Sequence, residues 1–202
     1  MKLFYAPGVC SLSPHIALRE AGLPFELQRV DTKTKEMHGG GNFLEVNPKG
    51  YVPVLQLDNG ELLTEGPAIV QYIADLKPEA GIAPANGTLE RYRLQEWLNY
   101  ITAELHKGFT PLFKPNTPDE YKSIARENLV NRIGYVADKL QGKTWLLGDK
   151  FSVADGYLFV VLGWGKFVGV DVTQWPVIVD YLARVAARPA VQEALKAEGL
   201  LK

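Results

Sequence analysis

The sequence predicts an α/β domain followed by an all-α domain. Three observations support this prediction. Strand and helix patterns alternate through the first 76 residues, a stretch rich in proline, glycine and alanine follows at 78–87, and only helical patterns come after it. The predicted ranges are 1–77 for the first domain, 78–87 for a linker and 88–202 for the second domain.

The first half of the α/β domain predicts a strand, a helix and a second strand. KLFY at 2–5 is a short apolar-rich strand candidate, and 11–22 predicts a helix that ends at a glycine–proline stop signal. Polar and apolar residues alternate over 25–31, as they do in a half-buried strand. A polar, glycine-rich stretch at 32–42 follows, and we expect a surface loop there.

The second half predicts a hairpin and a helix. VPVLQL and ELLT are strand candidates separated by Asp58-Asn59-Gly60, whose residues tolerate the positive φ of a tight turn. The segment 65–76 then has its apolar residues on one helical face. A mixed four-stranded sheet is expected, with the first two strands parallel and the last two antiparallel, which is the thioredoxin arrangement.

The second domain is expected to contain only helices. The longest patterns are 88–113, which Pro111 bends or ends, and 118–141. Further helices are predicted at 152–168, 174–187 and 190–197. Ser152 and Asp155 have capping-box spacing at the start of one of them, and we interpret this pair as a folding signal rather than a catalytic one.

The composition excludes several classes of function. The formal net charge of -1 gives no basic excess for nucleic acid, and no apolar run reaches the roughly 18 residues of a membrane span. The N-terminal segment does not have the pattern of a signal peptide, so a cytoplasmic protein is predicted. With one cysteine and three histidines, neither an internal disulfide nor a zinc cluster is expected.

The single cysteine, Cys10, comes after a predicted strand and a Pro-Gly turn, just before a predicted helix. Unpaired N–H groups and the dipole at a helix start lower the pKa of a thiol. CSLS is a C-x-x-S sequence, so a mixed disulfide formed by Cys10 could not be resolved internally. A small buried hydrophobe is the alternative, and position alone leaves both interpretations open.

Two further elements have chemical meaning beside Cys10. Val52-Pro53 precedes a strand, where thioredoxin-like folds have a cis proline that faces the active site. Glu65-Gly66-Pro67 stands where a helix begins, and backbone N–H groups there can bind a carboxylate. The alternatives are an ordinary strand-initiating proline and a simple charge–dipole contact.

Together these motifs resemble the cytosolic glutathione transferases. The resemblance rests on the thioredoxin-like first domain, VPVL, EGPAI, and FSVADGYLF in a helical second domain. The stretches YAPGVCSLSPHIALREAGL, NPKGYVPVL and NYITAELHKGF are similar to the bacterial beta class of that family. The resemblance covers the whole chain.

The resemblance implies a glutathione site in the first domain. Cys10 would contact the glutathione sulfur, by hydrogen bond or mixed disulfide, and Lys35 would lie near the glycine end. The cysteinyl part would pair with the Val52 backbone next to a cis Pro53. The γ-glutamyl group would be bound by Glu65 and Gly66. Serine is common in the family where Gly66 stands and glutamine where Tyr51 stands.

In the second domain the resemblance implies that His106 approaches the sulfur, helped by Asn99 and Lys107, while Glu104 reaches the γ-glutamyl amine of a neighbouring subunit. Asn99, Ala103 and His106 have i, i+4, i+7 spacing, which predicts one helix face. A partly buried, satisfied histidine is the alternative for His106.

The remaining histidines and Tyr5 are interpreted as mainly structural. His15 is expected to be a helix residue and His38 a loop residue. Tyr5 is near enough in the chain to reach the site, but the beta-class pattern assigns that region to Cys10.

Aromatic residues of the second domain suit an apolar second substrate. Phe109, Phe113 and Trp164 are expected to line its pocket, with helical core as the alternative. The leading hypothesis is conjugation of glutathione to apolar electrophiles by a homodimer that needs no metal. The other hypotheses are thiol–disulfide or dehalogenating chemistry through a Cys10–glutathione mixed disulfide, and a binding module without turnover.

Overall fold

The computed structural model describes residues 1–201. The chain forms two compact units. The first contains Met1–Ala83 together with the chain from Arg188 onward, and the second contains Pro84–Ala187. The predicted second domain, 88–202, had included the last helix, because a helical pattern does not show which unit a helix packs against.

The first unit is built on a four-stranded mixed sheet, as predicted. Its strands are β1 (Lys2–Tyr5), β2 (Glu26–Arg29), β3 (Val54–Gln56) and β4 (Leu62–Thr64). The order is β2-β1-β3-β4, with β1 and β2 parallel and the other two pairs antiparallel. Leu3 and Leu55 of the two central strands are fully buried, whereas both edge strands have exposed residues.

Helices form the rest of the regular structure of the first unit and the whole regular structure of the second. In chain order they are α1 (Leu12–Glu20), α2 (Phe43–Val46), α3 (Gly66–Leu76), α4 (Leu89–Tyr100), α5 (Lys107–Phe113), α6 (Asp119–Leu140), α7 (Val153–Leu162), α8 (Gly165–Val168), α9 (Pro176–Ala186) and α10 (Pro189–Ala197). Two short turns complete the set, a 3₁₀ turn at Pro78–Ala80 and a π-helical turn at Ile101–His106. Among the helices described, none is long and apolar enough to cross a membrane.

The sequence did not predict α2. One helical turn is too short to show a period, but its start has a local cause. The Asn42 side chain accepts the N–H of Leu44, and Phe43 is fully buried in a cluster with Phe4 and Val54. This turn anchors the polar stretch before β3.

The C-terminal helix α10 packs on α1 within the first unit through three charged contacts. Arg188 donates two hydrogen bonds to the Glu20 carboxylate, at 2.5 and 2.8 Å. Arg19 pairs with Glu193 at 3.0 Å. Beyond α10, Glu198 contacts α1 through a buried partner described below.

In the second unit the capping box at the start of α7 forms as predicted. The Asp155 carboxylate is fully buried and accepts the N–H groups of Ser152 and Leu146 and the hydroxyl of Tyr181. Burial raises the pKa of Asp155, and these hydrogen bonds oppose the shift. The predicted helix 152–168 is interrupted after α7, where a Cβ on Gly165 would lie 2.4 Å from the Val170 carbonyl oxygen.

Candidate active site

Cys10 lies between β1 and α1, as its sequence context predicted. The Cys10 thiol donates a hydrogen bond to the carbonyl oxygen of Val52, at an Sγ–O distance of 3.3 Å. Its backbone carbonyl accepts the N–H of Ser13 in the first turn of α1. The side chain is half-buried. Partial exposure leaves the Cys10 thiol accessible, which argues against the interpretation of a small core residue.

Ser11 closes the loop that carries Cys10. Its hydroxyl accepts the N–H of Ala6 and donates to the Ala6 carbonyl, both at 3.1 Å, and the side chain is fully buried. The sequence analysis did not assign this role. The signal was a small hydroxyl residue at a helix start, where such side chains bond to nearby backbone groups.

The peptide bond between Val52 and Pro53 is cis, as the resemblance implies, and Pro53 directly precedes β3. Val54 of β3 is paired with Thr64 of β4 in the antiparallel ladder. The same register sets Val52 and Gly66 at one end of the sheet. The fold therefore places Cys10, Val52 and the start of α3 around the same sheet end.

Glu65 has an unusual backbone conformation at the start of α3. Its φ is 69°, in the left-handed region, which is sterically unfavourable for a residue with a side chain. The Glu65 carbonyl accepts the N–H groups of Ala68 and Ile69. Lys49 donates to a Glu65 carboxylate oxygen at 2.7 Å and to the Thr64 hydroxyl at 2.9 Å. Lys49 orients the Glu65 carboxylate, a role that the sequence analysis missed because the two residues are far apart in the chain.

Gly66 leaves open space at the first position of α3. A Cβ built there meets no atom within 4 Å. A serine side chain, common at this position in the resembled family, would fit without repacking. The glycine therefore removes a hydroxyl from this end of the sheet without a packing reason.

Lys35 is positioned by backbone carbonyls. Its φ is 65°, and its ammonium donates to the carbonyl oxygens of Thr32 at 2.5 Å and Gly50 at 2.9 Å. This contact links the loop before α2 to the segment that leads to Val52. Tyr51 in that segment is 72% exposed, so its side chain has no packing role.

The other predicted residues belong to the second unit, where the structure corrects one expectation. The segment between α4 and α5 is a π-helical turn, in which the Lys107 N–H donates to the Thr102 carbonyl, five residues earlier. The prediction that Asn99, Ala103 and His106 share one face assumed a continuous α-helical period, which this turn interrupts before His106. Asn99 and Ala103 are exposed, whereas His106 is half-buried.

His106 is held in a polar and aromatic setting. Its Nδ1 lies 2.6 Å from the hydroxyl oxygen of Tyr157 in α7. Burial, helped by the positive charge of Lys107, lowers the pKa of His106 from its ordinary value of 6.5 to about 4. The imidazole is therefore neutral near pH 7. The sequence analysis missed Tyr157, although a phenol in an apolar helix signals a buried hydrogen-bond partner.

The three predicted pocket residues, Phe109, Phe113 and Trp164, form one aromatic cluster with His106. The ring centroids of His106, Phe109 and Phe113 lie 4.9, 5.9 and 6.2 Å from that of Trp164, all in edge-on geometries. Phe109 is fully buried, which agrees with the core alternative, while Phe113 is 50% exposed. Trp164 and Phe113 therefore present the accessible aromatic surface of this cluster.

Glu104 and Lys107 differ in their surroundings. The Glu104 carboxylate accepts the Nε–H of Arg132 in α6, so its charge is balanced within its own unit. Lys107 is exposed at the start of α5. Across residues 1–201 no group of three or more histidine, cysteine or acidic side chains is arranged to hold a metal ion.

Comparison with known proteins identifies the family. Residues 9–76 match the model of the glutathione S-transferase N-terminal domain, and residues 100–189 match that of the C-terminal domain. The chain belongs to the glutathione S-transferase family. It is a glutathione transferase, and this family assignment does not favour the redox, dehalogenase or non-catalytic hypotheses.

Individual relatives agree with this assignment over the full length. The chain is 50% identical to the glutathione S-transferase GstA of Escherichia coli O157:H7, over 99% of this chain and 100% of the relative. A sphingomonad glutathione S-transferase complexed with glutathione is 52% identical with a TM-score of 0.96, covering 99% and 100% of the two chains. The beta-class enzyme of Sphingomonas chungbukensis is also 52% identical with a TM-score of 0.96, covering 100% of both. The predicted bacterial beta class is thus confirmed.

Proposed function

We propose that this transferase conjugates glutathione to small apolar electrophiles, with the thiolate of glutathione as the nucleophile. The observation that supports this best is the Cys10 thiol, 3.3 Å from the Val52 carbonyl oxygen beside the cis Pro53. The cysteinyl part of glutathione carries a sulfur and backbone amide groups. The Cys10 thiol can contact that sulfur, and the Val52 backbone can form hydrogen bonds with those amide groups. The structure of the related sphingomonad enzyme was solved with glutathione, which supports the same co-substrate here.

The roles of the other residues complete the proposal. Val52 pairs through its backbone with the cysteinyl part, and Lys35 serves the glycine carboxylate. The start of α3, with Glu65 and Gly66, binds the γ-glutamyl group, whose ammonium suits the Glu65 carboxylate that Lys49 orients. A carboxylate of the same ligand suits the Gly66 N–H, because Pro67 has no N–H and those of Ala68 and Ile69 donate to the Glu65 carbonyl.

The electrophile is proposed to be apolar because the accessible surface near His106 is aromatic. His106, assisted by Asn99 and Lys107, acts on the glutathione sulfur, and its neutral imidazole is available at the pH of the cell. Trp164 and Phe113 then contact the electrophile. A cytoplasmic location, as the sequence analysis predicts, suits an enzyme that consumes reduced glutathione.

Turnover of glutathione with an activated aryl halide tests the proposal. We expect a rate above the buffer control that saturates in both reactants. His106→Ala should lower kcat by about tenfold, the typical effect of losing one hydrogen bond to a reacting group. His38→Ala is the matched control, because His38 is exposed, and it should leave kcat unchanged. Turnover equal to the buffer control in the unaltered protein would contradict the proposal.

A further inference from the structure

Tyr157 is a buried phenol whose hydroxyl contacts the imidazole of His106. The Tyr157 side chain is 3% exposed in the apolar helix α7. Its hydroxyl oxygen is 2.6 Å from His106 Nδ1, and the two rings are inclined at 79°. The contact is therefore a short hydrogen bond in which the ring faces do not stack, as expected where a buried hydroxyl needs a partner.

The direction of this hydrogen bond follows from chemistry. An imidazole nitrogen is a good acceptor, a phenol is a good donor, and a phenol oxygen is a poor acceptor. The donor is therefore the Tyr157 O–H. Thr102, the nearby hydroxyl in the π-helical turn, donates to the Leu98 carbonyl at 2.8 Å and lies 3.5 Å from the Tyr157 oxygen, so the shorter bond to His106 dominates.

A neutral imidazole has one N–H group. Since Nδ1 of His106 accepts a hydrogen, its own hydrogen resides on Nε2. The π-helical turn carries both Thr102 and His106 against the Tyr157 hydroxyl, and such turns are frequent at functional sites. The turn and α7 together thus determine which ring nitrogen of His106 can donate.

We propose that Tyr157 is a positioning residue that holds His106 in its Nε2–H tautomer, so that His106 offers the glutathione sulfur a hydrogen-bond donor rather than a base. This inference rests on the proposed function, in which His106 acts on that sulfur. A donor N–H stabilises a thiolate, because hydrogen bonding to the charged form favours it. A bare Nε2 would instead repel the thiolate lone pairs.

Nitrogen NMR of the protein labelled with ¹⁵N-histidine tests the tautomer directly. The chain has three histidines, so the spectrum is simple, and His106→Gln identifies the His106 resonances. Without any substrate, the unaltered protein should show His106 protonated at Nε2. In Tyr157→Phe the two tautomers should become mixed and the titration of His106 should move to higher pH, because the bond that favoured the neutral ring is lost.

Kinetics test whether Tyr157 acts through His106. Tyr157→Phe should lower kcat about tenfold at neutral pH and move the pH profile of kcat to higher pH, because a smaller fraction of the bound glutathione is then the thiolate. Tyr135→Phe is the matched control, since that ring is 46% exposed and should leave kcat unaltered. In the His106→Ala background Tyr157→Phe should have no further effect, as expected when one residue acts through the other.

Three results would overturn the inference: an Nδ1–H tautomer in the unaltered protein, an unchanged tautomer in Tyr157→Phe, or an equal loss from Tyr157→Phe with and without His106. The NMR measurement of the unaltered protein holds even if Tyr157→Phe fails to fold. A shifted tautomer with full turnover in both Tyr157→Phe and His106→Ala would support the tautomer assignment. The same result would refute the role of His106 in the proposed function, because turnover would not need its imidazole.

Discussion

His106 shows how burial alters the chemistry of one residue. Burial lowers the pKa of its imidazole to about 4, while a histidine in the unfolded chain titrates near 6.5. Between these two pH values the unfolded chain binds more protons at this residue than the folded protein does. The contribution of neutral His106 to the free energy of unfolding is therefore fully present above about pH 6.5, and it decreases as the pH falls toward 4.

This difference predicts a measurable loss of stability in acid. Between pH 7 and pH 4 the free energy of unfolding should fall by up to about 3 kcal/mol more in the unaltered protein than in His106→Gln, which lacks the titrating ring. Urea unfolding at a series of pH values measures both curves. The His38→Gln variant should follow the unaltered protein, because His38 is exposed. Parallel curves for the unaltered protein and His106→Gln would refute the prediction.

Among the elements, α1 depends on the end of the chain for its polar partners. His15 in α1 is fully buried and its Nδ1 lies 2.8 Å from a Glu198 carboxylate oxygen. The Arg19 Nε–H donates to His15 Nε2, so the ring hydrogen is on Nδ1 and points to Glu198. The other Glu198 oxygen accepts the N–H of Gly8 at 2.9 Å, in the loop before Cys10. This buried group agrees with the structural interpretation of His15.

Glu198→Gln should destabilise the protein without changing its shape. The two Glu198 oxygens contact the Gly8 N–H and His15 Nδ1. In the glutamine variant one of these oxygens becomes an NH₂ group, so two hydrogen-bond donors would face each other. We expect a loss of about 1–3 kcal/mol in the free energy of unfolding, measured in urea. Glu193→Gln is the control, since that carboxylate is 63% exposed and its pair with Arg19 should contribute less than about 1 kcal/mol. Equal losses in the two variants would show that burial of Glu198 is unimportant.

For the whole molecule, we predict a homodimer, because the family resemblance implies that Glu104 reaches a neighbouring subunit. Arg132 already neutralises Glu104 within its own unit, so Glu104 can be presented to a second subunit without burying an unpaired charge. Sedimentation at micromolar concentration should give a dimer. The melting temperature should rise with protein concentration, because unfolding of a dimer releases two chains. A monomer at these concentrations, with a constant melting temperature, would contradict the prediction.

Much of the fold was predictable because it rests on local patterns. The parallel pairing of β1 with β2 and the antiparallel pairing of β3 with β4 follow from the strand patterns, the connection through α1 and the Asp58-Asn59-Gly60 turn. The capping box at Ser152 is a short-range signal and formed as expected. The one-turn helix α2 and the π-helical turn were not predictable, because the first is shorter than a period and the second breaks the period on which the prediction relied.

The sequence by itself determined the alternation of strands and helices, the family and the position of Cys10 at a helix start. Those properties depend on neighbouring residues and on motifs that are contiguous in the chain. Only the tertiary structure decided that the Cys10 thiol contacts Val52, that Lys49 orients Glu65 and that Tyr157 contacts His106. Each of these pairs joins residues distant in sequence, and the direction of a side chain is set by packing rather than by its neighbours in the chain.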